Sequence, residues 1–217
     1  MLTLHAADLL LPGGDRPPVR DGAVLVRDAK IAAVGPYEEL AAAHPTARVR
    51  RWPGVLTPGL VNPYGPELLE RAYHPDPREA DDFEHGIEPV TGEALERLAL
   101  DDARWGASAR RGLQRMLAHG TVAVAFPREG PVRPAVREAL RRSGLVTGAR
   151  ATVTPGVPSL DLYAPNGALA IHLHYLVPGN HARFAVFGVS DEAELTARGA
   201  GTCLATVLDG RLVFRRR

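Results

Sequence analysis

The stretch Asp21-Gly22-Ala23-Val24-Leu25-Val26-Arg27-Asp28-Ala29-Lys30-Ile31-Ala32-Ala33-Val34-Gly35 decides the reading of the fold. Two strand-type runs, Ala23 to Arg27 and Lys30 to Val34, flank the dipeptide Asp28-Ala29. Two residues is the length of a tight hairpin loop, although Asp-Ala is weaker turn chemistry than Asp-Gly. Gly35-Pro36 stops the second run, because proline brings no amide hydrogen to a ladder. Toward the N-terminus, Leu9-Leu10-Leu11 is an apolar run closed by the turn residues Pro12-Gly13-Gly14. On the other side, Tyr37 to Ala43 reads as a short helix and Ala47 to Trp52 as a further strand. The first 61 residues are therefore expected to be short strands joined by tight turns.

Farther along, the period changes. Leu95, Leu98, Trp105, Ala109, Leu113, Met116 and Leu117 recur at helical spacing, which predicts one helix over 91–120 with Thr91 as cap and Gly120 past its end. Thr121 to Phe126 reads as a buried strand. Pro134 to Ser143 is a second helix that opens on proline, and Val146 to Val153 a further strand. Helix, strand, helix, strand is the pattern of parallel βα units. From about Asn166 the strand character returns in Ala168 to Leu176, Ala182 to Val189 and Cys203 to Phe214, with Asp209-Gly210 as a hairpin turn. Asp191 to Arg198 is a short helix capped by Ser190. The stretch from Tyr73 to Pro89, part of a connection running from 66 to 90, is expected to be a long polar loop.

Bulk properties narrow the function classes. A net charge of +1 gives no electrostatic footprint for nucleic acid or a membrane surface. Cys203 is the only cysteine, so neither an intramolecular disulfide nor a cysteine metal cluster can form. No segment approaches the roughly 20 apolar residues of a membrane helix, and the first residues lack a basic then apolar leader pattern. The expectation is a cytoplasmic protein with no nucleic-acid or membrane partner.

Three segments together resemble the amidohydrolase superfamily, especially its imidazolonepropionase-like and cytosine-deaminase-like members. The 21–35 hairpin is similar to the one that opens the family's small β-sandwich domain. Leu56-Thr57-Pro58-Gly59-Leu60-Val61-Asn62 resembles the run leading from sandwich to the first barrel strand. Ala182 to Phe187, with Thr206 to Phe214, is similar to the strands that return to complete the sandwich. The resemblance implies an α/β plus β fold. Residues 1–61 and 166–217 would form a composite β-sandwich domain, and 62–165 a truncated barrel-like region of about two βα units.

In that family the Pro-Gly-Leu-Val-Asn run is followed by a His-x-His pair that binds Zn²⁺ or Fe²⁺ and so activates a water. The matching positions here are Tyr64 and Pro66. Proline has no side-chain donor atom and neutral tyrosine is a poor ligand, so no catalytic residue is assigned and no cofactor is expected. Asn62, Tyr64 and Glu67 are the candidate remnants of a binding site. A separate His-x-His, His172 and His174, would put two rings on one face if 168–176 is a strand, with His181 nearby. The same pattern equally describes a half-exposed strand with alternating polar residues. Zinc or iron belongs only to a site rebuilt there. The loop histidines His74 and His85, with Asp76, Asp81, Asp82 and Glu84, match no metal spacing, and Cys203 sits among apolar residues.

The expectation is a protein without the metal site, acting in binding, scaffolding or regulation. Two alternatives stand beside it: a metal-dependent hydrolase of non-peptide C–N bonds with a rebuilt site, and a partial subunit completed by another chain. An open βα fragment leaves strand edges and apolar surface to cover. A homodimer, a protein partner or the 66–90 loop would cover them.

Overall fold

A computed structural model describes residues 1–84, 86–128, 132–150, 157–163 and 172–216. The elements in chain order are β1 (Leu2–Leu10), β2 (Val19–Arg27), β3 (Lys30–Pro36), α1 (Tyr37–Ala43), β4 (Arg48–Pro58), β5 (Leu60–Asn62), α2 (Gly65–Leu69), α3 (Gly92–Glu96), α4 (Asp102–Leu117), β6 (Thr121–Pro127), α5 (Pro134–Ser143), β7 (Val146–Arg150), β8 (Phe184–Phe187), α6 (Glu192–Arg198), β9 (Cys203–Leu208) and β10 (Arg211–Arg215). The protein is mixed α/β with a large, mostly antiparallel sheet of seven strands in the order β10-β9-β8-β4-β1-β2-β3. Among the described residues of that sheet, β1 and β4 are the only neighbours that run parallel. Strands β5, β6 and β7 form a second, smaller sheet in that order.

The chain divides into two compact units. The first holds Met1–Val61, Leu117–Ala123 and Asp161–Arg217, and the second holds Asn62–Met116 and Val124–Leu160. In the first unit the large sheet is covered on both faces. Ala7, Val24, Val26, Trp52, Leu56, Phe184, Val186, Ala205 and Val207 pack into one cluster. Leu4, Ala6, Ala23 and Leu25 pack into another with Tyr37 and Leu40 of α1. Successive strand residues point to opposite faces, so a strand buried twice over reads as a continuous apolar run, which is why the 23–27 segment showed so little alternation. Phe184 is fully buried, and truncation to alanine there would cost about 3–5 kcal/mol.

The hairpins follow the expected turns. Arg27 pairs with Lys30 across Asp28-Ala29, with Asp28 at φ 54°. Arg211 pairs with Leu208 across Asp209-Gly210, where φ is 48° and 75°, the left-handed pair a two-residue loop demands.

Several expected elements differ in extent. The first strand begins at Leu2 rather than Leu9, since Thr3 and His5 are polar residues turned into the interior. The helix expected over 91–120 is two helices: the Asp101 carboxylate accepts the Arg104 amide at 2.7 Å and starts α4 afresh. In the second unit, the 73–90 connection is held rather than free. It carries a 3₁₀ turn at Pro77–Asp82 capped reciprocally by Asp76 and Glu79, and Tyr73 bridges to Val90. Asp191, not Ser190, caps α6 by accepting the Glu194 amide at 2.8 Å. Of the strand expected at 168–176, the described residues 172–176 show an isolated bridge, Leu60 to His172. Residues 168–171, and 151–153 of the strand expected past Arg150, lie outside the described residues. No helix among the described residues is long and apolar enough to cross a membrane.

Candidate functional site

The run Leu56 to Asn62 ends β4, forms β5 and delivers Asn62 to the start of the second unit. Asn62 is fully buried. Its Oδ1 accepts the Tyr64 amide at 2.9 Å and its Nδ2 donates to the Ser159 carbonyl at 2.9 Å. This Asx turn directs the chain into α2, which carries Glu67. Tyr64, 2% exposed, precedes that helix, and its carbonyl accepts the Leu68 amide. The structure therefore brings Asn62, Tyr64 and Glu67 together around one turn.

Arg150, at the end of β7, joins them. Its Nη1 donates to the Pro63 carbonyl and its Nη2 to Glu67 Oε1, each at 2.6 Å. The pair is secluded, with side-chain exposures of 11% for Arg150 and 17% for Glu67. Arg150 Nε and Glu67 Oε2 are buried without a hydrogen-bond partner, so the pair keeps one spare donor and one spare acceptor away from bulk water. Sequence reasoning missed Arg150. Nothing in the spacing of Glu67 and Arg150 marks them as partners, and only the strand order brings them together.

His172 and His174 belong to the first unit. His172 Nδ1 lies 3.0 Å from the Pro58 carbonyl; a carbonyl only accepts, so the ring proton sits on Nδ1. Burial lowers the pKa of His172. His174 is exposed. His181 is paired elsewhere, with Nδ1 at 2.8 Å from Asp209 Oδ1, and Arg183 grips the same carboxylate at 2.8 and 3.1 Å. Burial works against the charge on Asp209, but Arg183 first and His181 second hold its pKa below the ordinary value. The sequence showed Asp209 only as a turn residue. Among the described residues, no group of three or more His, Cys, Asp or Glu is placed to hold a metal.

Of the loop residues, Tyr73, His74 and Asp76 are tied into the second unit. His74 is fully buried in the second unit, and its Nε2 donates to the Leu68 carbonyl at 2.7 Å. Its amide donates to Ser108 Oγ at 2.8 Å, and its carbonyl accepts Arg111 Nε at 2.7 Å. Burial pushes its pKa down to about 4. Tyr73 donates to Glu79 Oε2 at 2.7 Å with Arg104 and Arg111 over its ring. Asp76 caps the 3₁₀ turn, Asp81, Asp82 and Glu84 are exposed, and His85 lies outside the described residues. Cys203 is buried, and burial pushes its thiol up to about 11, the condition of an inert thiol.

Comparison with known proteins agrees with the opening hairpin. Residues 22–47 match the family model of the imidazolonepropionase-like composite domain of bacteria. No curated protein matches the chain. Among solved structures, A. niger ochratoxinase is similar at 24% identity over 68% of this chain and 30% of that one, with a TM-score of 0.44. E. coli guanine deaminase is similar at 18% identity over 69% and 36%, with a TM-score of 0.44. The triazine hydrolase of Arthobacter aurescens shows 21% identity over 68% and 35%, with a TM-score of 0.45. The chain spans about a third of the length of these structures. Residues 22–47 are thus similar to imidazolonepropionase-like composite-domain sequence.

Proposed function

We propose that this protein is an amidohydrolase relative without the metal site, acting in binding, scaffolding or regulation rather than in hydrolysis. In this reading the large sheet is the composite β-sandwich, and the βα segments of the second unit are the remnant of a barrel. The observation that carries it is Arg150. Where the family places two metal-binding imidazoles, this chain has Tyr64 and Pro66, and the guanidinium of Arg150 reaches Pro63 and Glu67 on either side of them. A buried fixed cation at that turn repels a divalent metal and already occupies the nearest carboxylate. These residues do not fit zinc or iron. Asn62, Tyr64 and Glu67 are then the proposed binding residues, beside an Arg150–Glu67 pair that keeps one donor and one acceptor unpaired. A homodimer would cover strand edges left by the short barrel, a proposal that sedimentation at graded concentrations tests.

Elemental analysis of the 217-residue protein purified without a histidine tag decides the metal question. The expected result is far less than one zinc or iron per chain, unchanged in a His172→Ala/His174→Ala variant. Near-stoichiometric metal that the double variant loses would overturn the reading in favour of a rebuilt hydrolytic site.

A further inference from the structure

Arg48, Arg50 and Trp52 alternate along β4 and so share a face, in register with Thr3, His5 and Ala7 of β1. The Arg215 guanidinium stands 5.8 Å from the centre of the Trp52 ring. Burial first, and then the charges of Arg48 and Arg215, lower the pKa of Arg50, so the three cations lie within electrostatic reach of one another. Among the described residues none of the three is in an ion pair. Three guanidinium groups in electrostatic reach, with no carboxylate at ion-pair distance among the described residues, are held together against their mutual repulsion.

The backbone beside them is open. On the side away from β1, β4 pairs with β8 only from Val55 to Pro58. Among the described residues, 48–53 have no strand along that side, and Val49 is 44% exposed between the arginines. An unpaired strand edge offers amide and carbonyl groups to an incoming strand. A second copy docking edge to edge in antiparallel fashion would set this arginine cluster against its own image, and like charges facing each other across a ladder destabilise it. An acidic segment instead supplies both the missing hydrogen bonds and the missing counter-charges.

We infer that residues 48–53 are a strand-addition site for an extended acidic segment of a partner protein, with carboxylates two residues apart facing Arg48 and Arg50. The inference rests on the binding-protein reading above and names the kind of partner.

The test is fluorescence anisotropy with the whole chain and a labelled synthetic peptide of alternating glutamate and valine. Saturable binding is expected, weakened at least about tenfold by Arg48→Glu/Arg50→Glu and unchanged by Arg78→Glu, an exposed arginine of the other unit. A peptide of the same charge with N-methylated backbone is expected to bind the unaltered protein at least about tenfold more weakly, because it cannot join the ladder. Absence of binding overturns the inference. So does equal binding of the N-methylated peptide, or an equal loss in Arg78→Glu, since either means charge attraction alone. Metal content is read separately: metal-free protein that ignores the peptide sinks only this inference, and metal-loaded protein that binds it sinks only the non-catalytic reading.

Discussion

His5 makes the first unit sensitive to mild acid. Its side chain is fully buried in β1, near-parallel to the Trp52 ring at 6.3 Å and edge-on to Phe184 at 4.9 Å. Trp52 Nε1 donates to His5 Nδ1 at 3.3 Å, so the ring proton sits on Nε2, which is buried without a partner. Burial, aided by the charge of Arg50, pushes its pKa down to about 3 from the ordinary 6.5. The folded pKa lies below the unfolded one, so as pH falls the unfolded chain takes up the proton first. Stability is full above about 6.5 and is lost progressively down to about 3. Between about pH 7 and pH 5 this one site removes about 2 kcal/mol, from about 1.4 kcal/mol for each unit by which pH lies below 6.5. The perturbation is His5→Leu, which cannot titrate. Urea unfolding of both proteins is followed by Trp52 fluorescence in a Trp105→Phe background, so that the signal comes from the first unit. Unaltered protein should lose about 2 kcal/mol more than the variant over that pH step. Equal losses would refute the assignment of a buried neutral imidazole at His5.

The second unit supplies two further expectations. Gly112→Ala would set a methyl carbon 2.7 Å from His74 Nε2 and 2.9 Å from Leu69 Cδ2. It should therefore destabilise by about 1–3 kcal/mol in thermal unfolding, although the same change in an open helix gains about 1 kcal/mol; a rise in Tm would show that His74 is not packed on that helix face. Glu67→Ala strands a buried guanidinium and should cost about 3–5 kcal/mol, while Glu67→Ala/Arg150→Met should recover most of it. A double variant no more stable than the single in urea unfolding contradicts the pairing.

Local chemistry was legible in the sequence where local chemistry decides. The 21–35 hairpin, its Asp28 turn, the Asp209-Gly210 turn, α1 and α5 rest on turn residues, caps and periodicity within a few residues of one another. The Asx turn at Asn62 is just as local, one side chain and the amide two residues on, but the sequence reading did not name it. Reading failed where a single residue breaks a longer pattern. Asp101 restarts a helix inside an unbroken apolar stripe because its carboxylate caps a new first turn. The 73–90 connection looked like solvated loop because the helix residues that hold it, Ser108 and Arg111, lie more than 30 positions from His74.

By itself the sequence determined the strand-rich ends, the alternation of helix and strand in the middle and the likeness of residues 22–47 to imidazolonepropionase-like composite-domain sequence. The tertiary structure alone decided who pairs with whom at long range. It set Arg150 on Glu67, 83 residues away, Asp209 on His181 and Arg183, and Arg215 over Trp52. It also turned His5 and His74 inward to become neutral. The physical reason is that turns and caps are settled by covalent neighbours. The charge state of a buried group depends on desolvation and on partners that strand order brings near, and no local spacing encodes either.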